Sequence, residues 1–259
     1  MRKTVSIHRK QSMSTTAQPA KTARPKPPQI GPVWLSNVLA KYIMAITGII
    51  FGAFVFVHMV GNLKVYTGPE HFNAYALWLR TLLEPLFPYE GFLWVFRVVL
   101  LVCLIAHVYC AAIISRRAKA RRGNFPRKGM RGMRSFTART MPVTGLVLLF
   151  FIIFHILDLT AGVGVAPESF QHGSEAGSFA YQNLIASFQR PWAAAVYLIA
   201  MVTLFLHLAH GVYAAVNDFG VTMSQKVRSW VTLLSGVFAL IVMLGNITIP
   251  IAVLLGIVS

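Results

Sequence analysis

Acidic side chains are scarce in this sequence: seven Asp and Glu stand against 24 Lys and Arg in 259 residues, and only 12% of the chain is charged. So little charge beside 56% apolar residues excludes an ordinary soluble domain. Cysteine is nearly absent too. Cys103 and Cys110 lie seven residues apart in one apolar run, which excludes a disulfide framework and makes both expected packing residues. The sequence shows no CxxCH motif, no Gly-rich phosphate loop, no Ser/His/Asp arrangement and no internal repeat. Soluble-enzyme chemistry has no foothold, and no catalytic residue is expected.

What the chain has in abundance is hydrocarbon. Five apolar runs, Tyr42–Asn62, Phe92–Ile114, Met141–Val163, Trp192–Val216 and Trp230–Ser259, each reach the length of about 20 helical residues that a bilayer core requires. The expected fold is an all-α integral membrane bundle of five transmembrane helices. The formal net charge of +17 does not point to nucleic acid, because the basic residues are segregated. Met1–Lys41 carries eight Lys/Arg and Ser115–Thr140 carries ten, neither with an acid, and Asn217–Ser229 carries two against one acid. The alternating loops hold Lys64, Arg80 and Arg190 against five Glu. The positive-inside bias puts the N-terminus in the cytoplasm and the C-terminus outside. Residues 1–33, rich in Ser, Thr, Gln and Pro, read as a disordered basic arm, and 34–259 as the membrane domain. Without an early apolar stretch the leader does not read as a cleaved signal peptide.

Eight histidines are present. His8 lies in the leader, and His71 and His172 lie in outer loops, where a solvated imidazole is the plain expectation. Four others, His58, His107, His155 and His207, each stand 14 to 16 residues past the start of their own spans, and His210 follows one turn after His207. At ~1.5 Å per residue each of the four is about 21–24 Å from the side its helix enters. The alternating direction of the spans then puts His58 and His155 at an outer level and His107 and His207 at an inner level, roughly 15 Å apart. Any one of them could be a core residue bonded to a neighbouring helix. Opposed neutral imidazoles from different helices at two levels are the donor set of bis-histidine haem b, bound without covalent links. Zinc wants three or four ligands at one point. A proton-coupled transporter is the other rival, although Asp158 is the single acid inside a span. The glycines of "GIIFG" (Gly48, Gly52) suit close helix packing as well as a flat macrocycle and do not choose between these readings.

Three segments carry a resemblance: "MAITGIIFGAFVFVHMVGNLKVY" followed by "HFNAYALWLR", "RTMPVTGLVLLFFIIFHILDLTAG", and "HLAHGVYAAVNDFG". With the His107 span they cover about Lys41 to Gly220, and they resemble the five-helix, dihaem cytochrome b membrane subunit of succinate dehydrogenases and fumarate reductases. The resemblance implies a multi-pass subunit of the bacterial cytoplasmic membrane that anchors a flavoprotein subunit and an iron–sulfur subunit. It also implies electron transfer between that iron–sulfur subunit and a membrane quinone, menaquinone for the dihaem branch. By resemblance the axial ligands are His58 and His155 for the outer haem and His107 and His207 for the inner one. In the family's H-x-x-x-G segment the first histidine is the ligand, so His210 becomes a neighbour on the haem edge or a propionate. Some fumarate reductases of this type have a Glu two residues before that ligand, on a compensating proton route. Here the position is Phe205, so transmembrane electron transfer would be electrogenic.

Further site residues follow from charge at suitable depth. Lys41 and Arg139 inside, and Arg190 outside, could meet haem propionates, although interfacial anchoring explains them equally well. Lys64, Glu70, His71, Arg80 and Glu84 crowd the first outer loop as candidates for handling a quinol proton. The basic loop Arg116–Arg139 suits anionic lipid and the iron–sulfur partner alike. A haem-free anchor, or a proton-coupled transporter using the intramembrane histidines, is the alternative function.

Overall fold

The computed structural model describes residues 30–122, 133–221 and 224–259. The expected disordered arm falls outside these up to residue 29, as does the middle of the basic loop from residue 123 to 132. Among the described residues seven α-helices follow in order: α1 (Asn37–Asn62), α2 (Pro69–Thr81), α3 (Gly91–Arg122), α4 (Met133–Ile156), α5 (Ala180–Phe188), α6 (Pro191–Asp218) and α7 (Gln225–Leu254). The described residues contain no β-strand. Five helices are long and apolar enough to cross a membrane, the fourth counted from Ala138 through the turn that follows α4 to Ala161. Their outward faces are apolar, with Phe150, Val143, Ile105 and Leu234 each about three-fifths exposed, as hydrocarbon rather than water demands.

Local signals set the boundaries. Ser36 caps α1 by accepting from the Leu39 N–H, and Ser224 caps α7 by accepting from the Val227 N–H. Pro69 and Pro191 open α2 and α6, where a missing N–H costs nothing. α4 runs into a π-helical turn, Leu157–Ala161, which ends on Gly162 in the left-handed region. Two expectations shift. The basic stretch Ser115–Thr140 is not all loop, since α3 continues to Arg122 and α4 starts at Met133; Lys and Arg are good helix formers and favour a helix C-terminus. The last span begins five residues earlier than expected and ends at Leu254, with Pro250 inside the helix.

The long helices alternate in direction. Lys41 at the start of α1 pairs with Asp218 at the end of α6, and Arg117 near the end of α3 bonds the segment leading into α1. This end of the bundle is called the N-side, and the end with α2 and α5 the far side. Packing runs α3 on α1, α1 on α6 and α6 on α4, with α7 against α6 and α1. By contrast α1 with α4, α3 with α4 and α3 with α6 form no packed helix pair among the described residues. Cys110 is buried with Leu35, Ala40 and Ile113 at the N-side, and Cys103 is buried too; both thiols are free, as packing residues should be. A second cluster, Met59, Leu208, Ala239 and Val242, joins α1, α6 and α7, and Phe205 packs against it. The largest cluster closes the far side, where α5, α2 and the end of α7 meet around Tyr181, Phe188 and Ile249.

Candidate cofactor site

The two histidines of each level come from helices that form no packed pair, α1 with α4 and α3 with α6. α1 and α4 carry the same pattern, Thr-Gly-x5-Phe-x3-His: Thr47, Gly48, Phe54 and His58 on one, Thr144, Gly145, Phe151 and His155 on the other. An internal repeat is therefore present after all, and it is too short and too degenerate in its other residues to stand out. Each phenylalanine lies one turn before its histidine and stacks on it, with centroids at 5.3 Å for Phe54–His58 and 5.8 Å for Phe151–His155. The two histidines meet edge to face across the α1–α4 gap, centroids 5.8 Å apart and planes at 80°.

Eleven residues earlier on the same two helices, the threonines serve the other pair. The Thr47 hydroxyl donates to the Ile43 carbonyl (2.7 Å), so its oxygen is left to accept from Nδ1–H of His107 at 2.9 Å. Thr144 does the same, bonded to the Thr140 and Met141 carbonyls (3.2 and 3.1 Å) and 3.0 Å from Nδ1 of His207. The adjoining glycines give the rings room. A Cβ on Gly48 would stand 3.5 Å from Cε1 of His107, and one on Gly145 only 3.3 Å from Cε1 of His207. Since His58 and His155 share a level, Thr47 and Thr144 share another, about 16 Å away along both helices. The four sequence-predicted histidines thus lie in two pairs at two levels.

At the far side, Nδ1 of His155 meets the Tyr197 hydroxyl at 3.3 Å, and that hydroxyl donates to Asp158 Oδ2 at 2.9 Å. Asp158 is completely buried and also receives Ser187 Oγ and Arg190 Nη2, both at 2.5 Å. Arg190 is further held by the Val165 carbonyl (2.6 Å) and lies over the Trp192 ring. The guanidinium expected to face a cofactor is in fact the counter-charge of a buried acid. Thr47, Thr144, Tyr197 and Asp158 were not singled out as partners of the histidines. A hydroxyl in an apolar helix ordinarily bonds its own backbone, and only the repeated Thr-Gly ahead of each His could have flagged them.

Three of the four imidazoles therefore commit Nδ1, which leaves the Nε2 lone pair as the free donor, the usual arrangement of a metal-bound histidine and its outer partner. Among the described residues no group of three or more His, Cys, Asp or Glu converges. Two axial nitrogens suit a planar group that brings its own four equatorial ligands.

The remaining predicted residues are dispersed. Lys41 is paired with Asp218 at 2.9 Å, Arg139 is exposed near the start of α4, and His210 is half-buried beside Tyr213. Lys64 lies over the Tyr75 ring, whose phenol is pushed up by burial. Arg80 bonds Glu90 (2.9 Å) and Ser178 (3.2 Å), and Glu90 also holds Arg97 on α3. Glu70, His71 and Glu84 are exposed, and the stretch expected as loop is largely the helix α2. Among the described residues no hydrogen bond or ion pair joins two of these five. His172 lies in the loop before α5, against Phe170.

Residues 130–247 match a family model, the succinate dehydrogenase/fumarate reductase transmembrane subunit. The match runs from α4 into α7 and so contains His155 and His207, whereas His58 and His107 precede it. Neither curated proteins nor solved structures gave a match.

Proposed function

We propose that this chain, whose residues 130–247 match the succinate dehydrogenase/fumarate reductase transmembrane-subunit model, is a membrane anchor of that kind and binds two b haems. In this reading it passes electrons between an iron–sulfur subunit and a membrane quinone, menaquinone by resemblance. The observation that carries the reading is the matched use of Nδ1: Thr47, Thr144 and Tyr197 hold three imidazoles so that Nε2 is left to bind iron. His107 and His207 would hold the haem of the N-side level, and His58 and His155 that of the far level.

A b haem bound at each level supplies a one-electron iron couple. The chain supplies orientation, spacing and exclusion of water. Phe54 and Phe151 fix two rings by stacking, Gly48 and Gly145 keep bulk away from the other two, and apolar helix faces surround all four. The positive-inside bias makes the N-side cytoplasmic, so the basic ends of α3 and α4 face the flavoprotein and iron–sulfur partners. Quinone chemistry belongs on the far side of this path. Phe205, packed in an apolar cluster, offers no carboxylate for a return proton, and electron transfer across the chain is therefore electrogenic. Succinate is oxidised, or fumarate reduced, by the partners.

The test is a pyridine haemochrome assay with a reduced-minus-oxidised spectrum on the purified complex. Two b haems per chain are expected. A colourless, iron-free protein would leave the haem-free anchor or the transporter.

A further inference from the structure

We infer that Tyr197, backed by the buried Asp158–Arg190 pair, is a positioning residue that makes the two histidine levels chemically unequal; this rests on the two-haem reading above. The two levels are built alike in their ligands and unlike in what stands behind them. At the N-side, Nδ1 of His107 and of His207 each meets a threonine whose own proton is spent on a carbonyl of the same helix. Those bonds are neutral and end within one turn. At the far side, the hydrogen-bond chain runs from His155 to Tyr197 and ends on a carboxylate.

Three separate elements converge at that carboxylate. The π-helical turn after α4 places Asp158 there, α5 contributes Ser187, and the residue before α6 contributes Arg190. The Tyr197 ring is wedged edge-on against Phe151, Phe154 and Phe188, with centroids 4.7–5.7 Å away, so its hydroxyl has little freedom to turn elsewhere. A tyrosine that donates to an anion is a better acceptor toward the next donor, because bonds in a chain polarise one another. The imidazole behind it therefore becomes more electron-donating through Nε2, which favours the oxidised form of a bound iron. The threonines exert no such pull.

The experiment compares wild type, Tyr197→Phe and Thr144→Val in the intact complex, by redox titration of the haem absorbance and by the g-anisotropy of the ferric low-spin signals. Tyr197→Phe keeps the ring and removes only the hydroxyl. It should move one of the two centres toward the reduced form by about tenfold in the oxidised-to-reduced ratio, which is ~59 mV for a one-electron couple. The other centre should stay in place. Thr144→Val should alter the signal of that other centre alone. Should Tyr197→Phe not assemble, Asp158→Asn, which still faces Tyr197 with an acceptor, should shift the same centre in the same sense by less. A folded Tyr197→Phe complex with neither centre moved, or with both moved equally, would show Tyr197 to be a staple of the fold and overturn the inference. A wild-type complex without haem would overturn the underlying reading instead.

Discussion

Replacing Asp158 by alanine tests how the far side of the bundle is held. The carboxylate is 0% exposed and receives three hydrogen bonds, from Ser187, Arg190 and Tyr197. Without it, a guanidinium that is only 23% exposed loses its counter-charge, and the buried Ser187 and Tyr197 hydroxyls lose an acceptor. Removing one partner of a buried pair costs about 3–5 kcal/mol. Arg190 keeps its bonds to the Val165 and Ser187 carbonyls and has some access to solvent, so the lower end applies, about 3 kcal/mol. For a chain of this size each kcal/mol moves Tm by roughly 2–4 °C, which gives a fall of about 6–12 °C, read by circular dichroism or tryptophan fluorescence in detergent. Two companions sharpen the assay. Asp158→Ala with Arg190→Ala should lose less than the sum of the single changes, because the pair is in direct contact. Asp158→Leu with Arg190→Met should recover only part of the loss, since an apolar pair replaces the ion pair at little cost while the buried Ser187 and Tyr197 hydroxyls still lack their acceptor. An Asp158→Ala protein melting within about 2 °C of wild type would refute the idea that this carboxylate holds the end of α4 to α5 and α6.

The remaining expectations concern the N-side. His207→Ala should halve the haem content per chain and His210→Ala should leave it at two; the opposite result would exchange ligand and neighbour. Gly145→Ala should shift the ferric signal of the N-side centre, because the added methyl would stand 3.3 Å from the His207 ring. Gly48→Ala, at an ordinary 3.5 Å from His107, should leave that signal unchanged. Arg117 donates to the Ile30 and Leu35 carbonyls and to Asn37 Oδ1, at 2.7–2.9 Å. Arg117→Ala should release the segment before α1, at a local cost of about 1–3 kcal/mol, seen as faster limited proteolysis there with little change in the main melting transition.

The spans and the four histidines were legible in the sequence because hydrophobic length and an imidazole within it are local properties. The two-level pairing followed from counting residues along helices of alternating direction. What stands behind the rings was not legible. Nothing near Arg190 in sequence says that it faces Asp158, 32 positions away, since that meeting depends on how the end of α4 and the start of α6 come together. The same holds for Thr47 and His107, 60 residues apart. Charged residues in the outer connections suggested a proton-handling cluster; of these Glu70, His71 and Arg80 lie on α2, Lys64 precedes it and Glu84 follows it, and Arg80 bonds Glu90. Charge in a loop reports the interface, not which partner each side chain will find.

The interval between Thr and His on α1 and on α4 has a consequence for how these helices tolerate change. Eleven residues make three turns and about 20° more, so each threonine and its histidine project from nearly the same line of the helix surface. Each helix is thus a ruler read at two marks, contributing a ligand at one and a hydrogen-bond acceptor at the other. One inserted residue would swing the second mark by about 100° and lift it by about 1.5 Å, so that either mark can be aligned only by misplacing the other. A frame error that a single-site helix could absorb by sliding is thereby scored twice, and on α1 and α4 alike the distance between the levels is written into the covalent chain.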